Sequence, residues 1–408
     1  MIALETITQA AELIKDHILE TPLIYSPALS AQFDAHIYLK LENLQKTGSF
    51  KIRGATYKIR QGLSQGRISP KGVVAASAGN HAQGVALAAR QAGLAATIVM
   101  PQWASISKQE ATRNYGGKIV ICGNTVEESL VRAYEIAGEG ATFIHPFDDP
   151  DIIVGQATVG LEIMSALPDV DAVLVPVGGG GLIAGVCSAA KAIKPRTRII
   201  GVETAACPSA QASLKSGKCV PVESHSSVAD GISVKQLGLA PFAIIRQWVD
   251  AVVAVDEANI AASIQILLER KRVLAEGAGA VPLAALLAGS VPTHKGEKIV
   301  LLISGGNVDS PLLGRIIQQG LLKNGRIMRI RLTLSDKPGT LARLLSKIAD
   351  MEANILHIHH DRSVERQSID ETRVELELET RNHDHIRNIA ESLRRDGYEL
   401  EPIVCSGT

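Results

Sequence analysis

Short apolar runs alternate with longer amphipathic stretches from Ile37 to Ile303. The runs predict buried β-strands at Val73–Ala76, Ala96–Met100, Lys118–Ile121, Ala172–Val177, Arg198–Val202, Ala251–Val255 and Ile299–Ile303. Helices are predicted between them at His81–Ala92, Ser107–Tyr115, Val126–Ala137, Leu182–Ile193 and Glu257–Lys271. This alternation predicts an α/β fold with two doubly wound parallel sheets, in which ligands bind at the carboxyl ends of the strands.

A second pattern begins after Leu321–Gly325, a segment that we interpret as a linker. The order βαββαβ predicts a ferredoxin-like unit there. We expect a first domain over residues 1–322, with a smaller subdomain of about residues 45–150 inserted in it, and a second domain over residues 326–408. In the second domain, strands are predicted at Ile327–Leu334, Asn354–His360, Val374–Leu378 and Tyr398–Val404, and helices at Thr340–Met351 and His383–Arg395.

Composition limits the kind of partner that we expect. The 408 residues are 46% hydrophobic, and 42 basic side chains balance 42 acidic ones, which gives no reason to expect nucleic acid or an anionic membrane. No apolar run is long enough to cross a bilayer, and we recognise no secretory signal. The 5 cysteines are odd in number and lack C-x-x-C spacing, which favours reduced thiols in a cytoplasmic protein.

Lys51 is the first candidate for chemistry, because it lies between two apolar residues. Burial disfavours the charged form of a lysine, and a neutral amine is what reaction with an aldehyde requires. A solvent-exposed lysine is nevertheless the commoner case. Spacing alone does not rank Lys51 above Lys40, Lys46 or Lys58.

Two glycine-containing loops are candidate anion sites. Gly178–Gly181 follow a predicted strand and open a helix, a layout in which backbone amides bind phosphate. A tight turn is the alternative; because the loop lacks the Lys-Ser/Thr of a P-loop, we expect a simple phosphate. Ser77–His81 share the layout and are expected to hold a second anion, such as a substrate carboxylate, unless Ser77 or Asn80 is an ordinary helix cap.

Three further side chains complete a set that suits pyridoxal phosphate. Asn80 is expected to hydrogen-bond a phenolic oxygen, and the Ser304 hydroxyl a ring nitrogen, although a strand-ending turn is the alternative for Ser304. Glu276 lies in an apolar, glycine-rich segment and either contacts the cofactor or pairs with Arg272. A lysine, a phosphate loop and these ring contacts predict pyridoxal phosphate bound covalently at Lys51.

These motifs resemble those of the fold-type-II pyridoxal phosphate enzymes. The runs Lys46–Ala55, Ser77–Gly84 and Glu276–Ala280 follow the order found in that family and are similar to those of threonine dehydratases. The remainder of the chain resembles one ACT domain. The resemblance implies a fold-type-II catalytic body of two doubly wound α/β subdomains, followed by a C-terminal ACT domain.

The resemblance also implies a role for each matching residue. Lys51 would hold the cofactor and later move the substrate α-proton, while Phe50 would lie against the pyridine ring. Asn80 would contact the ring hydroxyl and Ser304 the ring nitrogen, with Glu276 as a further cofactor contact. The phosphate would be bound by Gly178, Gly179, Gly180, Gly181 and Leu182, and the substrate carboxylate by Ser77, Ala78, Gly79, Asn80 and His81.

The implied activity is β-elimination of L-threonine to 2-oxobutanoate and ammonia, and of L-serine to pyruvate. Serine racemisation, serine or 3-hydroxyaspartate dehydration and a non-catalytic amino-acid sensor are the alternatives. Ala78 stands where related racemases carry a second serine, which argues against racemisation. Those relatives bind a divalent cation through a glutamate and an aspartate. This chain has Glu203 but Ser209 at the second place, so no divalent metal is expected, although Glu203 with backbone carbonyls is a candidate for a monovalent ion.

The ACT resemblance implies that an amino-acid effector, isoleucine or valine, binds between paired modules of a homodimer or homotetramer. A purely structural dimerisation domain is the alternative. His357, His359 and His360 lie close together on one strand without a carboxylate partner in the pattern, so we interpret them as a surface face and not as a metal site. The implied effector residues are Asp336, Pro338, Gly339, Thr340, Asn354 and Ile355.

Overall fold

The computed structural model describes residues 1–362 and 369–402. Two compact units, Met1–Ser310 and Pro311–Thr408, are described separately. The strands of the first unit are β1 (Leu23–Tyr25), β2 (His36–Leu41), β3 (Val73–Ala76), β4 (Ala96–Met100), β5 (Gly117–Ile121), β6 (Thr142–Phe143), β7 (Ala172–Pro176), β8 (Arg198–Thr204), β9 (Ala251–Val255) and β10 (Lys298–Ile303). Its helices are α1 (Leu4–Ile14), α2 (Pro27–Phe33), α3 (Lys51–Ser64), α4 (Asn80–Gln91), α5 (Ile106–Asn114), α6 (Val126–Gly138), α7 (Pro150–Ala166), α8 (Gly181–Ile193), α9 (Ser209–Ser216), α10 (Leu239–Trp248), α11 (Glu257–Lys271) and α12 (Gly277–Leu287).

The larger sheet of this unit has the strand order β1-β2-β10-β7-β8-β9. Its neighbouring strands are parallel except for β1 and β2, which are antiparallel. Every residue of β7 is buried, and helices α8 and α12 pack on that strand. A strand that is covered on both faces has a continuous apolar sequence, and that apolar run is the signal that located β7.

The smaller sheet has the order β5-β4-β3-β6 and is parallel throughout. The chain leaves the larger sheet after β2, builds this sheet and then returns to the larger one with β7. Each strand predicted for this unit is present, with its ends shifted by no more than a residue or two. The two sheets confirm the predicted doubly wound α/β architecture.

The second unit contains a ferredoxin-like sheet with two helices, as predicted, and a preceding helix, α13. The elements are α13 (Ser310–Lys323), β11 (Ile327–Ser335), α14 (Thr340–Asp350), β12 (Asn354–Asp361), β13 (Glu371–Glu379), α15 (His383–Arg395) and β14 (Leu400–Pro402). The strand order is β12-β13-β11-β14, antiparallel throughout. The predicted linker is partly wrong, because Leu321–Lys323 end helix α13, and Val404, the predicted end of the last strand, lies outside the described residues.

Strand β13 separates an apolar face from a charged one. Alternate residues from Val374 to Leu378 are buried, as the period of two predicts. Between them, the Glu375 and Glu377 carboxylates pair with arginines of the adjacent strand β11, at 2.7 and 2.6 Å. On the open face of the sheet, these two glutamates are therefore held in cross-strand ion pairs.

Within residues 1–362 and 369–402, no helix is long and apolar enough to span a lipid bilayer. The four cysteines in the described part of the chain, Cys122, Cys187, Cys207 and Cys219, form no disulfide. Cys405 lies outside the described residues.

Helix α3 is held in place by the buried guanidinium of Arg53. Two of its nitrogens donate to Glu42 at 2.8 Å, and the same group donates to Glu162 at 2.5 and 2.9 Å. The side chains of Arg53 and Glu42 are 0% exposed, and Lys40 also pairs with Glu162. Although burial alone raises the pKa of Glu42, the Arg53 charge beside it holds that pKa below its usual value. Two cations and two carboxylates thus compensate one another inside the protein.

Replacing Arg53 by leucine leaves the Glu42 carboxylate buried without its main partner. We expect Arg53→Leu to lower the free energy of unfolding by about 3–5 kcal/mol. The matched control is Arg67→Leu, because Arg67 pairs with Asp151 at 2.9 Å while 45% exposed, where about 1 kcal/mol or less is expected. Urea unfolding measures both variants. If both variants lose the same free energy of unfolding, the buried ion pairs of Arg53 stabilise the protein no more than the exposed pair of Arg67 does.

Candidate active site

Lys51 is positioned by a backbone contact between two distant loops. Phe50 N donates to Ser304 O at 3.1 Å, and Ser49 forms an antiparallel bridge with Gly305. The segment before α3 therefore lies along the turn that follows β10. This contact brings together the lysine and the late serine turn, which are far apart in the sequence.

The Lys51 amine sits in surroundings that favour its neutral form. It is the first residue of α3, and its Nζ donates to Pro146 O at 2.8 Å and lies 5.3 Å from the centre of the Phe50 ring. Burial lowers the pKa of Lys51 to about 8, and the nearby Glu276 charge only partly opposes that effect. A nucleophilic amine is therefore present at a pH well below the ordinary lysine range.

The glycine loop at the start of α8 is suited to an anion. Gly180 has φ 91°, and among the described residues no side chain caps the helix, so the first-turn amides remain available. A Cβ on Gly179 would lie 2.2 Å from Cγ of Phe147, which explains why a glycine is required. Because Phe147 follows Pro146, one short loop links the Lys51 amine to the glycine loop. These residues fit a phosphate group.

The Ser77–His81 loop has only part of its hydrogen-bonding capacity free for an anion. Helix α4 begins at Asn80 without a side-chain cap from any described residue, which leaves the Asn80 and His81 amides for an anion, whereas the Ala82 amide donates to Gly79 O at 3.0 Å. The Gly79 amide, however, donates to Ser77 Oγ at 3.2 Å, which engages one of the expected carboxylate ligands. His81 Nε2 bonds to Ile144 O at 2.9 Å, and burial lowers the pKa of His81 to about 3. The imidazole is therefore neutral.

Asn80 connects the two remaining predicted contacts. Its Nδ2 donates to Glu276 Oε1 at 2.7 Å, while its Oδ1 accepts from Asn307 Nδ2 at 2.7 Å. Glu276 is 5% exposed, and burial together with the charge of Asp230 raises its pKa to about 7. In the described structure the side-chain partner of Glu276 is therefore Asn80 and not Arg272, which was considered from the sequence.

Three residues of this site were not predicted as contacts: Pro146, Phe147 and Asn307. The first two follow β6, a strand of two residues that is too short to give a periodic signal. A proline between a strand and a helix was the available signal for that loop. Asn307 belongs to the serine turn that the sequence did single out, but its partner Asn80 is 227 positions away, so no local pattern joins them.

Glu203 serves as a helix cap. Its carboxylate accepts from Ala210 N at 2.8 Å and from Gln211 N at 2.9 Å, in the first turn of α9. Burial raises the pKa of Glu203 to about 7. Ser209, at the position considered for a second ligand, begins the same helix. Over the part of the chain that the structure describes, no group of three or more His, Cys, Asp or Glu side chains is placed to hold a metal ion.

The residues proposed for an effector lie at both ends of the sheet of the second unit, because Asp336 and Gly339 follow the end of β11 whereas Asn354 is level with its start. Asp336 pairs with Arg362 at 2.7 Å, and Gly339, with φ 88°, precedes α14. Asn354 lines a cavity of about 420 Å³ at the start of β12. The other lining residues of that cavity are Arg326, Glu352, Glu379, Thr380 and Arg381.

The histidines of β12 have carboxylate neighbours that the sequence pattern did not reveal. In the register of the sheet, His357 lies opposite Glu377 and His359 opposite Glu375. Both glutamates already pair with arginines of β11. The prediction of a surface face remains the better interpretation, because those carboxylates are occupied.

The lowered pKa of Lys51 predicts unusual reactivity in the cofactor-free protein. At pH of about 7.5, a pKa near 8 leaves roughly a quarter of the amine neutral, against about one part in a thousand for an ordinary lysine. Competitive acetylation against N-acetyl-lysine, read by peptide mass spectrometry, measures this. We expect the rate of Lys51 modification to rise with a midpoint near pH 8. A midpoint above pH of about 10 would contradict the assigned environment.

Comparison with known proteins identifies the family of each part of the chain. Residues 14–305 match the family model of pyridoxal-phosphate dependent enzymes, and residues 323–396 match that of the ACT domain. The chain is similar to the L-threonine ammonia-lyase of Thermotoga maritima, with 48% identity over 98% of this chain and 99% of the relative. It is also similar to the L-threonine ammonia-lyase of Geobacter sulfurreducens, with 46% identity over 98% of this chain and 99% of the relative.

Solved structures give the same result for the fold. The T.th. threonine deaminase is 39% identical, covers 76% of this chain and 99% of its own, and superposes with a TM-score of 0.71. Maize serine racemase is 35% identical, covers 79% of this chain and 98% of its own, and has a TM-score of 0.73. The chain therefore belongs to the family of pyridoxal-phosphate dependent enzymes and carries a C-terminal ACT domain.

Proposed function

We propose that this chain is a threonine ammonia-lyase, which converts L-threonine to 2-oxobutanoate and ammonia, and also L-serine to pyruvate. The observation that carries the proposal is the near-full-length likeness to two L-threonine ammonia-lyases, at 48% and 46% identity. The site supports it, because the Lys51 amine with its lowered pKa shares a loop contact with the glycine-rich start of α8.

Lys51 is the residue that we assign to proton transfer. When bound, pyridoxal phosphate supplies the electron-withdrawing ring that acidifies the α-proton of an amino acid. The Lys51 Nζ can take up that proton, because a pKa of about 8 keeps part of the amine neutral near neutral pH. In the cofactor-free protein, the hydrogen bond to Pro146 O, at 2.8 Å, holds Nζ in a defined position.

The other residues bind and orient. Phe50 is proposed to lie against the ring, Asn80 to donate to the ring hydroxyl, and Ser304, which is 2% exposed, to meet the ring nitrogen. A serine at that nitrogen protonates the ring less firmly than a carboxylate does, which favours prompt elimination. The phosphate ligands that we propose are Gly178, Gly179, Gly180, Gly181 and Leu182, and the substrate carboxylate ligands are Ser77, Ala78, Gly79, Asn80 and His81.

Position 78 separates this proposal from racemisation. A racemase needs an acid or base on each face of the substrate, and Ala78 has neither. Its methyl group packs against the apolar cluster formed around α4 and the smaller sheet. The candidate loop therefore offers no side-chain proton donor at this position opposite Lys51. This supports elimination, in which one amine moves the proton from one face.

We further propose a catalytic domain over residues 1–322, with a subdomain of about residues 45–150, and an ACT regulatory domain over residues 326–408. The ACT domain would bind isoleucine or valine, with Asp336, Gly339 and Asn354 among its ligands. A homodimer or homotetramer in the cytoplasm completes the proposal. Its support is the ACT match over residues 323–396.

The activity is tested with threonine and serine. We expect wild-type protein loaded with pyridoxal phosphate to release keto acid and ammonia in equal amounts, and to leave the remaining substrate in the L form. Lys51→Ala should lose keto acid production, because no other amine replaces its Nζ. Lys46→Ala is the matched control and should retain it. Recovery of D-serine without keto acid would favour a racemase and refute the proposed activity.

Regulation is tested by shortening the chain after Asn324, which removes the sheet of the second unit but keeps α13. We expect isoleucine or valine to change the initial rate with threonine in the full chain and not in the shortened one. Asn354→Ala in the full chain should weaken the response without loss of basal activity, which covers the case of a poorly folded truncation. An unchanged effector response in the shortened chain would exclude the ACT domain as its site.

A further inference from the structure

The side-chain amide of Asn80 has only one orientation that its neighbours accept. Asn307 faces Thr47 O at 2.8 Å, and a backbone carbonyl can only accept, so the facing atom must be the Asn307 amide nitrogen. That nitrogen has a second proton, which it donates to Asn80 at 2.7 Å. The Asn80 atom that receives it must be Oδ1. The backbone carbonyl of Thr47 therefore determines the orientation of the Asn307 amide, and Asn307 in turn determines that of the Asn80 amide.

The far end of Asn80 is determined in the same way. Its Nδ2 must then face Glu276, whose Oε1 accepts at 2.7 Å. Only one of the two Nδ2 protons is used in that bond, so one remains for a further acceptor. The opposite amide orientation would place Asn80 Oδ1 against the Glu276 oxygen, which pairs two acceptors when the carboxyl is ionised. The contact with Asn307 excludes the flipped amide in either state of Glu276.

The hydrogen-bonded side chains of Glu276, Asn80 and Asn307 lie close to the backbone and have little room to rearrange. A Cβ on Gly305 would lie 2.4 Å from Glu276 Oε1 and 3.2 Å from Asn80 Nδ2. A Cβ on Gly48 would lie 2.3 Å from Asn307 Oδ1. Asn307 also has a long contact of 3.5 Å with Gln83 Oε1, which is another acceptor. The three side chains come from α4, the start of α12 and the turn after β10, so the chain joins elements that are far apart in sequence.

We propose that Asn307 and Glu276 are positioning residues, which hold the Asn80 amide so that its second Nδ2 proton is directed at the ring oxygen of pyridoxal phosphate. This inference rests on the proposed placement of the cofactor and deepens it. Glu276 acts through Asn80 and need not touch the cofactor. Sequence reasoning assigned Glu276 to direct cofactor binding, and Asn307 had no role.

A double-mutant cycle on the full-length holoenzyme tests whether Asn307 acts through Asn80. The variants are Asn80→Ala, Asn307→Ala and the double variant, and the readouts are the visible absorbance band of the bound cofactor and the Kd for pyridoxal phosphate, both without substrate. We expect each single variant to shift the band and to weaken binding on the order of tenfold or more. In the Asn80→Ala background, Asn307→Ala should add nothing further. Additive effects on the band would overturn the proposal.

Glu276 is tested with a conservative and a non-conservative replacement. The glutamine amide introduced by Glu276→Gln keeps an acceptor oxygen for Asn80, so this variant should preserve the absorbance band. Glu276→Leu removes the acceptor and should shift the band as Asn80→Ala does. Asn307→Ser and thermal unfolding of every variant guard against misfolding as the cause of a shift. If the absorbance band is unchanged in both Glu276→Leu and Asn307→Ser, the proposed positioning of Asn80 by these two residues is refuted.

These readouts need the cofactor but not threonine. Wild-type protein that binds pyridoxal phosphate and follows the cycle, yet does not deaminate threonine, would support the positioning chain and refute only the proposed activity. Active protein with additive variants would refute only the positioning chain.

Discussion

The pairing of one fully buried guanidinium with two carboxylates is the constraint on which the site depends. Arg53 reaches Glu42 and Glu162, which come from the segment before α3 and from α7. Because an unpaired charge is costly in such surroundings, α3 has one favourable placement relative to both segments. Lys51 lies two residues before Arg53 and begins the same helix. The ion-pair cluster therefore sets where the reactive amine is found.

The two cations of this helix have opposite electrostatic surroundings. Arg53 is buried with partners, and its pKa is raised by the neighbouring carboxylates despite burial. Lys51 is half-buried beside a carbonyl and an aromatic ring, and desolvation lowers its pKa to about 8. The first arrangement stabilises the charged form and serves structure. The second disfavours the charged form and prepares an amine for covalent and proton-transfer chemistry.

Local pattern predicted much of the fold but only part of the site. Strands such as β7 were found because complete burial leaves a continuous apolar run, and β13 because one covered face leaves a period of two. Lys51, Asn80 and the glycine loop were marked by motifs. Pro146 and Asn307 were not, because their contacts join segments 95 and 227 positions apart. The sequence left a cofactor contact and a pair with Arg272 open for Glu276, and it did not reveal the hydrogen bond that Asn80 donates to that carboxylate.

The central claim is that pyridoxal phosphate is attached covalently to Lys51 and not to a neighbouring lysine. Borohydride reduction of the holoenzyme, followed by proteolysis and mass spectrometry, identifies the lysine that carries the pyridoxyl group. We expect the label on the peptide that contains Lys51, at close to one group per chain, since burial lowers the pKa of that amine to about 8. A label on Lys40, Lys46 or Lys58 instead, with Lys51 unmodified, would contradict the account at its centre.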